Sequence, residues 1–89
     1  MHKNFMIGET KFVELEIISR DNADFLIPSA TWELESMGEV IEQGTAIVDG
    51  HNISVLLTAP ESVGQYELTV WYSIPPEVIA AKVIINVCD

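Results

Sequence analysis

Residues 30–35 read Ala30-Thr31-Trp32-Glu33-Leu34-Glu35, the cleanest alternation of apolar and polar side chains in the chain. Successive side chains of a β-strand point to opposite faces, so this pattern predicts a strand with one buried and one solvated face. Trp32 falls in the apolar phase. We therefore expect its indole to lie in a hydrophobic core.

The same period of two recurs in three further segments, at residues 11–20, 66–72 and 79–87. Turn-forming pairs separate the extended pieces, namely Met37-Gly38, Asp49-Gly50 and Pro75-Pro76. Short alternating runs punctuated in this way are typical of antiparallel β-proteins. The sequence predicts an all-β fold, an antiparallel β-sandwich of about seven strands. Residues 1–89 are read as a single domain, with 1–8 expected to be a flexible N-terminal segment.

Size and charge restrict the possible functions. The chain has 89 residues, and 14 acidic residues face only 4 basic ones, giving a net charge of -10. Such a charge repels nucleic acid and anionic membrane surfaces, so neither is an expected partner. A domain this small forms one core, with which a deep catalytic cleft would compete. We expect no enzymatic activity and no cofactor.

Cysteine usage and the N-terminal sequence bear on the cellular location. Cys88 is the only cysteine, which excludes an intramolecular disulfide and leaves an incidental thiol. The first residues lack the apolar run of a signal peptide, and no segment approaches the ~20 apolar residues of a membrane span. A cytoplasmic location during synthesis is expected.

Few residues offer recognisable chemistry. His51 follows the Asp49-Gly50 turn and is read as an exposed turn residue. The pairs Glu14/Glu16 and Glu33/Glu35 lie two apart on strands, so each is read as a solvated face rather than an acid and base. In residues 21–24, Asp21, Asn22 and Asp24 could ligate calcium, but an Asx-type turn is favoured because the spacing of a calcium loop is missing. No metal site is expected.

The segment Gly64-Gln65-Tyr66-Glu67-Leu68, which follows Ala59-Pro60, resembles the entry to the sixth strand of immunoglobulin-like domains. In that family the tyrosine hydroxyl folds back onto the preceding corner. Antibody domains place a cysteine two residues after this tyrosine, where this chain has Leu68. The resemblance implies an immunoglobulin-like sandwich held by apolar contacts, which is not of the antibody type.

A narrower resemblance covers roughly residues 26 to 87. It is carried by Ser29-Ala30-Thr31-Trp32-Glu33-Leu34, Gly44-Thr45-Ala46-Ile47-Val48-Asp49-Gly50, the Gly64-x-Tyr66 corner and Pro75-Pro76-Glu77-Val78. In this order they resemble small immunoglobulin-like proteins of phages and prophages, including the first domain of phage baseplate upper proteins. The resemblance implies a non-catalytic virion or virion-assembly component that binds protein.

Three large apolar residues, Trp71, Ile84 and Phe12, alternate with the polar rather than the apolar phase of their strands. If the last two strands pair, Trp71 and Ile84 are predicted to form an outward patch that Phe12 extends, a candidate protein interface. Isolated surface apolar residues are the competing interpretation. The expected partner is another virion component or a second copy of this chain.

The alternative function is a recognition module of a bacterial surface or enzyme complex, which would bind carbohydrate or a small ligand through loops at the strand ends. Such a module needs aromatic side chains in those loops, and Phe25 is the only one expected there.

Overall fold

The computed structural model describes residues 1–18 and 26–89. In these ranges the chain forms eight β-strands and no helix. The strands are His2–Met6 (β1), Thr10–Glu16 (β2), Ala30–Ser36 (β3), Glu39–Thr45 (β4), Ile47–Asp49 (β5), Asn52–Thr58 (β6), Gly64–Ile74 (β7) and Glu77–Cys88 (β8). No helix that could cross a bilayer occurs in the described part of the chain.

The strands form a five-stranded sheet in the order β1-β8-β7-β3-β4 and a three-stranded sheet in the order β2-β6-β5. Paired strands are antiparallel except β1, which runs parallel to β8. The two sheets enclose one hydrophobic core to which both contribute buried side chains. The predicted all-β sandwich is confirmed.

The core follows the predicted phase of the alternation. Ala30, Trp32 and Leu34 of β3 are buried, and Thr31, Glu33 and Glu35, which alternate with them, are not. The fully buried large side chains come from both sheets and are Phe5, Leu34, Ile53, Leu57, Leu68, Ile85, Val13, Val55, Val70 and Val83. Sandwiches commonly bury every second residue of each strand in this way.

The turn signals are also confirmed. The Met37-Gly38 turn joins β3 to β4 with positive φ at both residues, 52° and 81°. This backbone twist suits a two-residue hairpin loop. Gly50, with φ of 61°, occupies the turn between β5 and β6.

The N-terminal segment 1–8 differs from the prediction of a flexible segment. His2–Met6 forms β1, with Phe5 buried in the core. Its partner β8 lies at the other end of the chain, and the Ile7 amide extends the pairing by donating to the Cys88 carbonyl at 3.0 Å. With β1, the described residues form eight strands rather than about seven, and one pair is parallel.

Candidate protein-interaction surface

The outer face of the five-stranded sheet carries Trp71, which is 41% exposed. In the registers of β7, Trp71 lies opposite Thr31 of β3 on one side and Ala80 of β8 on the other. Both neighbours have short side chains, so the indole has no large neighbour directly across either strand. It is outward and accessible, as its sequence phase predicts.

A small uncharged region lies beside this indole, on the side away from Glu33 and Lys82. Val78 is exposed on the same face of β8, two residues from Ala80. We define the Trp71 surface by Trp71, Thr31, Ala80 and Val78. A tryptophan that is already ordered by a sheet loses little conformational entropy on binding, and it contributes a large apolar area.

Ile84 lies on the same face and on the neighbouring strand, as predicted, but it is not next to Trp71. It lies opposite Glu67, whereas Trp71 lies opposite Ala80, four residues away along β8. Between them, Lys82 Nζ forms an ion pair with Glu67 Oε1 at 3.1 Å. The predicted continuous patch of Trp71 and Ile84 is therefore interrupted by charge.

Phe12 does not extend this patch, because β2 belongs to the other sheet. Its ring is 50% exposed on the outer face of the three-stranded sheet, opposite Leu56, which is 53% exposed. Ile47 is also exposed there, opposite Ser54 and next to Leu56 on the adjoining strand. We define the Phe12 surface by Phe12, Leu56 and Ile47. Leu56 and Ile47 were detectable in the sequence as outward-phase apolar residues of the Asp49-Gly50 hairpin.

Carboxylates occupy the centre of the large outer face. Glu35 lies directly opposite Glu67, an arrangement of like charges that disfavours the pairing of the strands. The Lys82 ammonium compensates part of this repulsion through its ion pair with Glu67. Glu33 and Lys82 flank Thr69, which is buried although it points outward. The face thus has an uncharged end at Trp71 and a charged middle.

The corner before β7 is closed by a side-chain hydrogen bond. The Tyr66 hydroxyl donates to the Ser62 carbonyl oxygen at 2.8 Å, and the ring of Tyr66 is buried. This bond fixes the chain at the point where it enters the central strand β7, and thereby helps to position the strand that carries Trp71.

The other residues considered for chemistry in the sequence do not come together in one site. Glu14 and Glu16 are exposed on the outer side of β2, His51 is partly buried beside its turn, and Cys88 is exposed. No group of three His, Cys, Asp or Glu side chains suited to a metal ion occurs within residues 1–18 and 26–89. The calcium alternative at residues 21–24, and the aromatic ring of Phe25, lie outside the described residues.

One shallow depression lies at a strand end. It is lined by polar residues and one glycine, namely Glu16, Asp49, Gly50, His51 and Asn52. Its lining holds no Trp, Tyr or Phe ring on which a sugar could stack. The described residues at this end therefore give the ligand-binding alternative no specific support.

No model of a known protein family matches the chain, and no curated protein is significantly similar to it in sequence.

Proposed function

We propose that this chain is a non-enzymatic structural domain that acts by protein contact as a component of a phage or prophage virion or its assembly. The observation that carries the interaction part of this proposal is the Trp71 surface. Tryptophan is enriched among residues that dominate binding energy, and here it stands among short side chains at the uncharged end of a rigid sheet. The phage origin rests on the sequence resemblance.

The immunoglobulin-like part of the proposal has two supports. In a variable-type sandwich, one sheet pairs the second, fifth and fourth strands, and the other contains the seventh, sixth, third and an added strand. If β1 is taken as part of the first strand, the orders β2-β6-β5 and β8-β7-β3-β4 correspond to that arrangement. The bond from Tyr66 to the Ser62 carbonyl corresponds to the tyrosine corner.

The placement of Trp71 on a central strand favours its use in a protein contact. β7 is a central strand, paired over its length with β8 and along its middle with β3. Side chains held on such a strand need little ordering upon contact, which lowers the entropic cost of association. The anionic rim formed by Glu33 and Glu67 would orient a partner rather than supply most of its affinity.

The test compares Trp71→Ala with Phe12→Ala, a matched truncation of an exposed aromatic ring on the opposite side of the sandwich. Each variant is co-expressed with the proteins encoded beside this gene, and complex formation is measured by affinity capture followed by titration. Self-association is measured in parallel by sedimentation velocity over a range of concentrations.

We expect Trp71→Ala to weaken the complex by about 2 kcal/mol or more, which is about 30-fold in Kd, and Phe12→Ala to leave it unchanged. Thermal stability should change by less than about 0.5 kcal/mol in the Trp71 variant, since an outward residue contributes little to the core. If only Phe12→Ala weakens binding, the interface lies on the three-stranded sheet. If neither variant changes any association, the proposed function is wrong.

A further inference from the structure

The two edges of the five-stranded sheet differ in how their backbone groups are satisfied. In β1, the Met1 carbonyl accepts from Ile84 and the Ile7 amide donates to Cys88, so odd-numbered residues bond to β8. The even-numbered residues face away from the sheet. Three of their groups are nevertheless bonded. Lys11 Nζ donates to the Asn4 carbonyl at 2.5 Å, the Met6 amide donates to Glu9 Oε1 at 3.0 Å, and the Met6 carbonyl accepts from the Glu9 amide at 3.0 Å.

Glu9 and Lys11 also interact with each other, and this interaction helps to hold both side chains against the outer side of β1. Their side chains form an ion pair at 3.3 Å. The Lys11 ammonium also lies 4.5 Å from the centre of the Phe5 ring, within the range of a cation–π contact. The edge at β1 is therefore closed to a further strand by the molecule's own side chains.

The opposite edge, β4, is open in the part of the chain that the structure describes. The Ala46 amide donates to the Ala30 carbonyl at 2.9 Å, and the register continues from this pair through Thr31–Thr45 and Trp32–Gly44. In an antiparallel ladder, hydrogen-bonded pairs alternate with non-bonded pairs. Gly44 therefore bonds to β3, whereas the N–H and C=O of Gln43 and Thr45 point away from the sheet. Among the described residues, no hydrogen bond reaches the outer side of these two residues.

β4 also extends beyond the cover of the smaller sheet. Every residue of this strand is exposed except Gly44, which is half-buried. Glu42 lies opposite Leu34 and so belongs to the inner face, yet it is exposed. A strand added at this edge would place its side chains on that face beside Gly44 and Glu42.

Those two positions specify different chemistry. At Gly44 an added Cβ would lie 3.0 Å from Cζ2 and Nε1 of Trp32, so the indole lies directly against the glycine. An apolar side chain next to Gly44 on an added strand would therefore lie beside the apolar indole of Trp32. Two residues further along, the Glu42 carboxylate would meet the next side chain on the same face, where a lysine or arginine is favoured.

From this geometry we infer that the outer edge of β4 binds an extended segment of a partner protein by strand addition. The segment carries an apolar side chain opposite Gly44 and a lysine or arginine two residues away, opposite Glu42. Backbone bonds to Gln43 and Thr45 supply the pairing, and the two side chains supply the specificity.

A second copy of this chain is the less suitable occupant. Each copy has a net charge of -10, and β4 has no basic residue to meet Glu42 of another copy. Charged residues on an exposed edge are a common protection against self-pairing. The same carboxylates that disfavour a second copy favour a cationic strand. This edge adjoins the Trp71 surface, because Thr31 of that surface pairs with Thr45. It differs from that surface in using the outward backbone of β4 and the inner face at Gly44 and Glu42, so Glu42→Lys tests it without changing Trp71.

The probe is an acetylated and amidated seven-residue peptide with threonine at every other position and lysine, leucine and lysine between them. Its palindromic order offers leucine to Gly44 and lysine to Glu42 in either strand direction. The full chain carries Trp71→Phe, which leaves Trp32 as the only tryptophan. Binding is followed by Trp32 fluorescence up to millimolar peptide, and by hydrogen exchange at the Gln43 and Thr45 amides.

We expect saturable binding that slows exchange at both amides. Glu42→Lys should weaken it at least tenfold, and a peptide with glutamates in place of lysines should recover affinity for that variant. Glu14→Lys, which makes the same charge change on the other sheet, should leave affinity within twofold. Glu42→Gln, which keeps the size of the side chain, should give an intermediate loss.

Three results with the peptide would overturn the inference. They are no saturable binding at millimolar peptide, equal weakening by Glu42→Lys and Glu14→Lys, and binding without protection of the Gln43 and Thr45 amides. The second and third would identify non-specific attraction of a cation to an anionic protein. Sedimentation at the same concentrations tests the second copy, and a dimer disrupted by Glu42→Lys without peptide would also overturn it.

Discussion

Trp32 and Trp71 lie on neighbouring strands of one sheet and only one register position apart, yet their environments are opposite. Trp32 pairs with Val70, and Trp71 pairs with Thr31. This single step places Trp32 on the inner face, 7% exposed, and Trp71 on the outer face, 41% exposed. Because a strand alternates sides at each residue, the phase of a tryptophan decides whether it supports the fold or remains available for contact.

The largest expected difference between the two residues is in stability. Trp32→Ala should lower the free energy of unfolding by ~3–5 kcal/mol, because it removes a large side chain from between the sheets and leaves a cavity. A small domain typically has ~5–15 kcal/mol in total, so this variant should be close to unfolding at 37 °C. Urea denaturation monitored by far-ultraviolet circular dichroism measures the change.

Trp71→Ala is the control for this measurement, since it deletes the same side chain from the outer face of the adjoining strand. Equal midpoints for the two variants would contradict the assignment of Trp32 to the core and of Trp71 to the surface.

Gly44 gives a second way to examine the inner environment. Gly44→Ala should destabilise the protein by ~1–3 kcal/mol, since its new Cβ would lie 3.0 Å from the indole of Trp32 and the ring would have to move. The cost should fall in a Trp32→Phe background, because phenylalanine lacks the fused part of the indole that the new Cβ would contact. A double-mutant cycle in denaturant measures this coupling. Additive costs would show that the close approach of Gly44 and Trp32 is not what requires the glycine.

The phases of the strands could be predicted from sequence, because alternation is a local property. It identified Trp32 and Leu34 as inward and Trp71 as outward, and the turn at Met37-Gly38 followed from residue type. Membership of a sheet is not local. Phe12 has an outward phase like Trp71, but only the pairing of β2 with β6 places it on the other sheet.

Register and long-range pairing account for the other differences. The separation of Ile84 from Trp71 depends on where the β7–β8 hairpin turns, since moving the turn by a residue changes every opposite pair. β1 was not predicted because its five residues form a strand only by pairing with β8 at the far end of the chain. Gly44 carried no pattern of its own, and its role becomes visible only when the indole of Trp32 is placed against it.

The smallest expected effect is the loss of stability on replacing Glu9. Unlike the loss at Trp32, which arises from apolar packing, it should depend on pH. The Glu9 carboxylate accepts a hydrogen bond from the Met6 amide and a second from Lys11, and these lower its pKa from the ordinary value. A carboxyl group with a lowered pKa in the folded state stabilises the fold above its unfolded pKa, and this contribution is lost as the pH falls through its folded pKa. Glu9→Gln should therefore be less stable than the parent at pH 7, and the difference should disappear as the pH falls through the folded-state pKa of Glu9. Denaturant midpoints of the parent, Glu9→Gln and Trp32→Ala from pH 7 to pH 3 measure it, with the Glu14→Gln variant as the control for removing one exposed charge.

The loss of stability in Trp32→Ala should persist at every pH, because it arises from packing. A loss of stability in Glu9→Gln that is constant with pH, or equal to that of Glu14→Gln, would contradict this prediction. It would show that the charge of the Glu9 carboxylate does not stabilise the edge at β1.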